Sequence, residues 1–99
     1  MILVQRSASV APGMLSAAIA FANEISALIK TTTGIDLKIA VPVGGNAARI
    51  AWLANYENLA QYESMGQKLL ADQKYLELIK KGAGIFVPNT LHDEIWRTL

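Results

Sequence analysis

The sequence predicts an α+β fold in which a four-stranded antiparallel sheet carries its helices on one face. Three observations lead to this prediction. The 99 residues match one domain of about 100–200 residues. No linker, repeat or low-complexity tract divides the chain, so we expect residues 1–99 to form a single domain. Apolar residues recur with strand and helix periods in the order β-α-β-β-α-β.

Residues 2–10 form the predicted first strand, because apolar side chains alternate along them. Pro12 and Gly13 then turn the chain into a helix, since proline is tolerated near a helix start. We expect Gly34 to end this helix in a left-handed conformation. The helix has one apolar stripe at three- and four-residue steps, formed by Leu15, Ala18, Ile19, Ala22, Ile25 and Ile29.

Residues 35–43 alternate between apolar and other side chains, which predicts a second strand. Pro42 lacks a backbone donor, so we expect this strand at the edge of the sheet. A tight turn at residues 44–46 leads into a third strand over 48–56, and together the two strands form a hairpin. One face of the third strand carries Ile50, Trp52, Ala54 and Tyr56.

A second helical region is predicted over residues 58–81. Asn58 is a good N-cap, and Gln61 three residues later completes a capping-box pattern. Asp72 offers a second helix start, so we expect a break or bend there. Gly82 follows two lysines of the last turn and ends the helix.

A loop over residues 82–89 and a last strand over 90–99 complete the predicted order. This order is the ferredoxin-like arrangement, in which both helices cover one face of the sheet. Ala40, Ala51 and Leu53 lie on the face that the helices leave bare. A sheet that is apolar on both faces must be covered on both, so we expect a second copy to pack sheet to sheet.

Composition supports an interface and excludes several functions. Hydrophobic residues make up 53% of the chain and charged residues only 17%, against roughly 25% charged in ordinary domains. A net charge of +1 argues against nucleic acid or an anionic membrane as partner. The absence of cysteine excludes disulfides, thiolate catalysis and zinc sites built on sulfur. The single histidine excludes a self-contained metal site made of several histidines. We expect a homodimer, with no metal and no cofactor.

The uncharged stretch 7–23 follows Arg6 and could be mistaken for a secretory signal. Residues 1–4, which precede Gln5 and Arg6, are apolar where a signal would be basic. Serines, a proline and a glycine also dilute the would-be apolar core. We therefore read this stretch as strand and helix, and expect a cytoplasmic protein.

Three motifs in this sequence resemble the NIPSNAP-like branch of the dimeric α/β-barrel superfamily. They are Trp52-Leu53-x-x-Tyr56-Glu57-Asn58-Leu59-x-x-Tyr62-Glu63, Leu69-Leu70-Ala71-Asp72-x-x-Tyr75 and Asp93-Glu94-Ile95-Trp96-Arg97. They cover the second half of the chain, and each also serves folding. The resemblance implies two ferredoxin-like protomers packed sheet to sheet. It also implies a pocket for a small apolar or aromatic molecule between helices and sheet or at the barrel mouth.

The superfamily includes cofactor-independent monooxygenases, haem-binding enzymes, isomerases and proteins without a known reaction, so fold does not select a chemistry. His92 is the one side chain that titrates near neutral pH without large perturbation. Glu94 shares its strand face and could orient it as a catalytic base. An exposed histidine without a chemical role is the simpler interpretation.

Two arginines and three aromatic residues are the candidate ligand-binding side chains. Arg6 and Arg49 lie on neighbouring strands, where Arg6 could meet Asp93 or Glu94 and anchor a carboxylate or phenolate. An ion pair that only holds the sheet is the alternative. The aromatic candidates are Trp52, Tyr56 and Trp96. Their rings could contact an aromatic ligand, but they could equally well pack in the core or in an interface.

Three functions follow from these residues. The first is a homodimeric α/β-barrel protein that binds a small apolar or aromatic molecule between sheet and helices. The second is a cofactor-independent monooxygenase or isomerase with His92 as base and Arg6 or Arg49 as oxyanion partner. The third is a structural dimer without ligand.

Overall fold

The computed structural model describes all residues from Met1 to Leu99 and confirms the ferredoxin-like α+β fold. Its antiparallel sheet has the strand order β2-β3-β1-β4. The elements are β1 (Ile2–Ser9), α1 (Leu15–Thr33), β2 (Lys38–Ala40), β3 (Arg49–Tyr56), α2 (Leu59–Leu70), α3 (Gln73–Lys81) and β4 (His92–Arg97).

The core lies between α1 and the two central strands. Ala18 and Ala22 of α1 are fully buried, as is Ile50 of β3. Small alanine side chains on the inner face let the helix backbone approach the sheet closely, and the larger residues of the stripe fill the space beside them. Four residues of the predicted apolar stripe therefore lie on the packed face, namely Ala18, Ala22, Ile25 and Ile29. The other two, Leu15 and Ile19, are exposed, so the stripe is buried only in part. Gly34 ends α1 with φ of 79°, the left-handed conformation expected.

The second strand is much shorter than the predicted 35–43, because only Lys38–Ala40 pair with β3. Towards its start, Leu37 accepts a hydrogen bond on its carbonyl from the Ser26 hydroxyl at 3.0 Å rather than from a strand. Towards its end, Val43 is fully exposed, so alternation there does not mark a buried face. The predicted edge position of this strand is confirmed.

The predicted break at Asp72 is also confirmed, and it separates α2 from α3. The Asn58 side chain accepts a hydrogen bond from the Gln61 backbone N–H at 2.8 Å. The Gln61 side chain accepts one in return from the backbone N–H of Glu57 at 2.7 Å. Asp72 caps α3 by accepting from the Tyr75 N–H at 3.0 Å. Each helix therefore starts on its own cap.

The last strand is also shorter than the predicted 90–99, and the first ends at Ser9 rather than residue 10. Val10 instead forms an isolated bridge with Phe86 of the predicted loop 82–89, which ties that loop to the core. None of the three helices combines the length and the apolar character that crossing a lipid bilayer requires.

Candidate functional site

The strand register distributes the candidate residues over both faces of the sheet. Arg6 lies directly opposite Trp52 on β3 and Asp93 on β4. Successive residues of a strand point to opposite faces, so these three share the face on which the core residues lie. We call it the helix-side face. Tyr56 belongs to it too, whereas the opposite face, called here the open face, carries Arg49, His92, Glu94 and Trp96.

Arg6 and Asp93 form a bidentate ion pair on the helix-side face. The Arg6 Nε donates to Asp93 Oδ1 at 2.7 Å and its Nη2 donates to Oδ2 at 2.8 Å. These hydrogen bonds are the main reason why the pKa of Asp93 is lowered and that of Arg6 is raised. The Arg6 side chain is 41% exposed and the Asp93 side chain 33% exposed, so the pair is accessible from outside.

Three tyrosines, one on β3 and two on the helices α2 and α3, lie near enough to Arg6 to interact with its charge. Tyr62 of α2 and Tyr75 of α3 both lie near enough to Arg6 to contribute to its raised pKa, although less than Asp93 does. The ring of Tyr56 meets that of Tyr62 edge to face at a centroid distance of 5.1 Å. All three rings are half-buried. We call Arg6, Asp93 and these tyrosines the arginine–tyrosine cluster.

Burial disfavours the ionised form of Tyr56 and is the main cause of its raised pKa, with a further contribution from Tyr62. The positive charge of Arg6 acts in the opposite direction but does not outweigh burial. The tyrosine therefore stays a neutral hydroxyl at physiological pH. A neutral phenol can both donate and accept a hydrogen bond.

Trp52, which belongs to the core packed under α1, carries an unsatisfied donor. Its side chain is only 7% exposed, and its ring packs against Phe86 at a centroid distance of 5.8 Å. The indole Nε1 is the one buried side-chain nitrogen or oxygen in the chain without a hydrogen-bond partner. A buried polar group normally has a partner, so an unpaired one calls for a specific explanation.

The helices do not fully cover this part of the sheet. No residue of α2 or α3 is fully buried. Ile95 of β4 pairs with the buried Val4 and points to the helix-side face, yet it is 47% exposed. The cluster therefore lies on the less covered part of the helix-side face, with the exposed Ile95 next to Asp93 on β4.

The other candidate residues lie on the open face. The sheet itself separates them from the arginine–tyrosine cluster. His92 Nε2 lies 3.3 Å from Glu94 Oε1, as expected for residues that share a strand face, but the histidine side chain is 67% exposed. Arg49 donates from Nε to the Asn46 carbonyl at 3.1 Å. Trp96 is exposed.

The predicted charged cluster is therefore only partly present. Arg6 pairs with Asp93 as one alternative proposed, but Arg49 points to the opposite face and does not join it. The physical reason is residue parity: Arg6 shares its face with Ile2 and Val4, whereas Arg49 neighbours the inward-facing Ile50. Neighbouring strands alone did not imply a shared face.

Two surface depressions lie away from these residues. One borders the start of β2 near Ile35 and Lys38, and the other is a groove between α1 and α3 near Glu24 and Lys81. No three His, Cys, Asp or Glu side chains come together as a set of metal ligands. The arginine–tyrosine cluster is the site that combines an ion pair with aromatic rings.

Sequence reasoning missed Tyr62 and Tyr75 as site residues. Both belong to motifs that resemble the NIPSNAP-like branch, and those motifs also serve folding. The sequence does carry a signal for a polar site here. Inward-facing tyrosines on two consecutive helices bring two hydroxyl groups to the same buried surface, and a buried hydroxyl needs a hydrogen-bond partner. Their approach to Arg6 depends on how the helices pack, which the periodicity does not reveal.

The fold is shared with proteins of the NIPSNAP family. A NIPSNAP family protein of unknown function from Agrobacterium tumefaciens is 16% identical and superposes with a TM-score of 0.85 over 99% of this chain and 87% of its own. An uncharacterised NIPSNAP domain protein from Burkholderia xenovorans is 11% identical, with a TM-score of 0.86 over 100% and 95%. The resemblance seen in the sequence motifs is thus confirmed at the level of the fold.

The same fold extends to a presumed antibiotic biosynthesis monooxygenase from Deinococcus radiodurans. That protein is 10% identical and has a TM-score of 0.73 over 99% of this chain and 92% of its own. No protein-family model and no curated protein sequence matches the chain. At these identities the comparisons define the fold class, a ferredoxin-like domain of the NIPSNAP and monooxygenase type.

Proposed function

We propose that two copies of this chain associate through their open faces and that each binds a small apolar or aromatic molecule in its arginine–tyrosine cluster. The observation that carries the binding proposal is the incomplete cover of the helix-side face. An accessible ion pair lies there among three half-buried tyrosines, and Ile95 remains exposed beside it. Apolar surroundings with a few convergent polar groups are typical of ligand sites.

The composition of the open face supports association between copies. Ala40, Ala51 and Leu53 are half-buried on this face, and Trp96 adds an exposed aromatic ring. Lys38 and other polar residues are interspersed, so the surface is mixed rather than wholly apolar. Interfaces between folded proteins commonly have this composition, with aromatic anchors among polar groups.

An oxygenase or isomerase is the second candidate function. The His92–Glu94 contact of 3.3 Å favours it, since a carboxylate can orient a histidine base. Because His92 lies on the open face, its substrate would lie between the two protomers and not in the arginine–tyrosine cluster. Replacing His92 by Ala would then abolish turnover without altering ligand mass or affinity at the cluster.

A native mass spectrum of freshly purified protein tests the proposal. We expect twice the mass of one chain plus the mass of a retained ligand. Leu53→Asp places a charge in the proposed interface and should yield monomers. Tyr62→Ala should keep the dimer but lose the added mass, whereas Glu63→Ala, an exposed neighbour on α2, should change neither.

The other outcomes separate the alternatives. A dimer that never gains mass, even after incubation with naphthalene derivatives, would leave a structural dimer and remove the binding function. A monomeric wild-type protein would contradict the association of open faces. Equal loss of added mass in the Tyr62 and Glu63 variants would show that the ligand lies elsewhere.

A further inference from the structure

We propose that Trp96 of each chain inserts into the surface depression at the start of β2 of a second copy, with β4 of one copy lying over β2 of the other. This inference rests on the proposed association of open faces and specifies which residue of the partner occupies which site. It follows from an exposed ring, from a depression on the same face, and from two opposite charges at the two edges of that face.

The depression lies at the β2 edge of the open face and has a volume of about 460 Å³. Leu3 and Leu53 give it an apolar lining, whereas Lys38 and Asn55 supply polar groups. The strand register places all four side chains on the open face. A mostly apolar lining with a few polar groups suits an indole ring, which is apolar except for its N–H.

Trp96 lies at the other edge of the same face. It is 54% exposed, and it pairs with Leu3, which pairs on its other side with Asn55. The ring and the depression are therefore at the same level along the strands but on opposite sides of the centre of the sheet. Trp96 does not line the depression of its own chain. Exposed tryptophans are frequent anchors of protein interfaces.

The symmetry of a dimer brings the ring and the depression together. Two aligned sheets packed face to face can be related by a twofold axis that runs along the strands or across them. In the strand order β2-β3-β1-β4, an axis along the strands places β4 over β2 and keeps the level along the strands. Trp96 of each copy then lies over the depression of the other, so both contacts form at once. An axis across the strands places β4 over β4 and brings neither ring to a depression.

Lys38 and Glu94 favour the same axis. They end one row of paired residues that crosses the sheet, in the order Lys38, Leu53, Gln5, Glu94. With the axis along the strands, Lys38 of each copy faces Glu94 of the other. An axis across the strands through this row would set lysine against lysine and glutamate against glutamate. Opposite charges that face each other select a partner, and like charges oppose it.

Carbodiimide cross-linking of the wild-type protein tests the arrangement directly, because this reagent joins a lysine amine to a carboxylate that contacts it. Within one chain, Lys38 and Glu94 stand three strand spacings apart, about 14 Å. A peptide that joins them therefore comes from two different chains. We expect mass spectrometry to find this cross-linked peptide in the covalent dimer.

Variants measure what each contact contributes to the dimer. In sedimentation equilibrium, Trp96→Ala should weaken dimerisation about tenfold or more, as for a buried aromatic anchor. Leu70→Ala, which removes an exposed apolar side chain of α2, should leave dimerisation unchanged. Lys38→Glu should also weaken the dimer, and adding Glu94→Lys to the same chain should restore most of the loss, because the charges are then exchanged. Circular dichroism checks that each variant is folded.

The outcomes distinguish this inference from the proposed function. A monomeric wild-type protein would remove the association of open faces, and the inference would fall with it. A dimer that Leu53→Asp dissociates but Trp96→Ala leaves equally tight would keep the association and overturn the inference. A wild-type dimer without the cross-link between Lys38 and Glu94, or a charge exchange without recovery, would also overturn it.

Discussion

The two halves of the helix-side face differ in how well helices cover them. Beneath α1, Ile50 is fully buried and Trp52 nearly so. One strand beyond β1, on β4, Ile95 points in the same direction and remains about half exposed. The same sheet face is therefore a sealed core at one side and an accessible surface at the other.

The helices account for the difference. The inner face of α1 has alanines that permit close approach, such as Ala18 and Ala22. The α2–α3 layer instead presents tyrosines, and none of its side chains is fully buried. We infer that stability resides mainly in the half under α1 and that ligand access belongs to the half beside β4.

The largest expected effect comes from removing matched side chains from the two halves. Ile50→Ala should lower the free energy of unfolding by about 2–5 kcal/mol, because it leaves a cavity in the sealed core. Ile95→Ala should cost only about 1 kcal/mol, because this side chain buries about half as much surface. Urea denaturation of both variants measures the contrast, and equal losses would show that the two halves are packed alike.

A smaller effect is expected where α3 ends against the sealed half. A Cβ built on Gly82 would lie 2.6 Å from Phe21 Cζ, whereas one on Gly84 meets nothing within 4 Å. Gly82→Ala should therefore destabilise the fold by about 1–3 kcal/mol. Gly84→Ala is the control, since both changes affect the unfolded chain alike. Similar thermal melting of the two variants would contradict this close contact.

The smallest effect concerns the accessible half. Asp93 has a lowered pKa in the folded protein, so its pairing stabilises the fold above the unfolded pKa of about 3.9. That contribution is lost as the pH falls through the lower folded pKa. Because the pair is partly exposed, Asp93→Asn should cost at most about 1 kcal/mol at pH 7.

Chemical denaturation between pH 7 and pH 2.5 provides the measurement. The stability advantage of the wild-type protein over Asp93→Asn should shrink below about pH 4 and disappear at the lowest pH. An advantage that stays constant across this range would mean that shape, and not charge, makes Asp93 stabilising. Glu63→Gln, which changes an exposed carboxylate of α2, is the matched control.

Much of the fold could be predicted because local signals agree with one another. The caps at Asn58 and Asp72 and the glycine at the end of α1 act over three or four residues, so their effect is visible in the sequence. Whether the residues that follow β2 pair with β3 could not be predicted in this way. Alternation around Val41 and Val43 suggests a buried face, but burial requires a covering element, and none covers these residues.

The candidate site was predictable only in part. Strand order predicted that Arg6 meets Asp93 or Glu94, and the structure selects Asp93. The face of Arg49 follows from residue parity once the buried residues of β3 are known. The approach of Tyr62 and Tyr75 to Arg6 depends on tertiary packing between α2, α3 and the sheet. No local pattern encodes that distance.

The shortness of β2 bears on how the chain avoids aggregation. An apolar segment on a sheet edge can recruit strands from other molecules, above all while the protein is still folding. Here the paired segment stops at Ala40. Pro42 has no backbone N–H, so it interrupts the row of backbone hydrogen-bond donors between Val41 and Val43. The segment that looks most like a strand in the sequence is thereby kept from growing into one, and the proline acts as a gatekeeper against fibrous assembly.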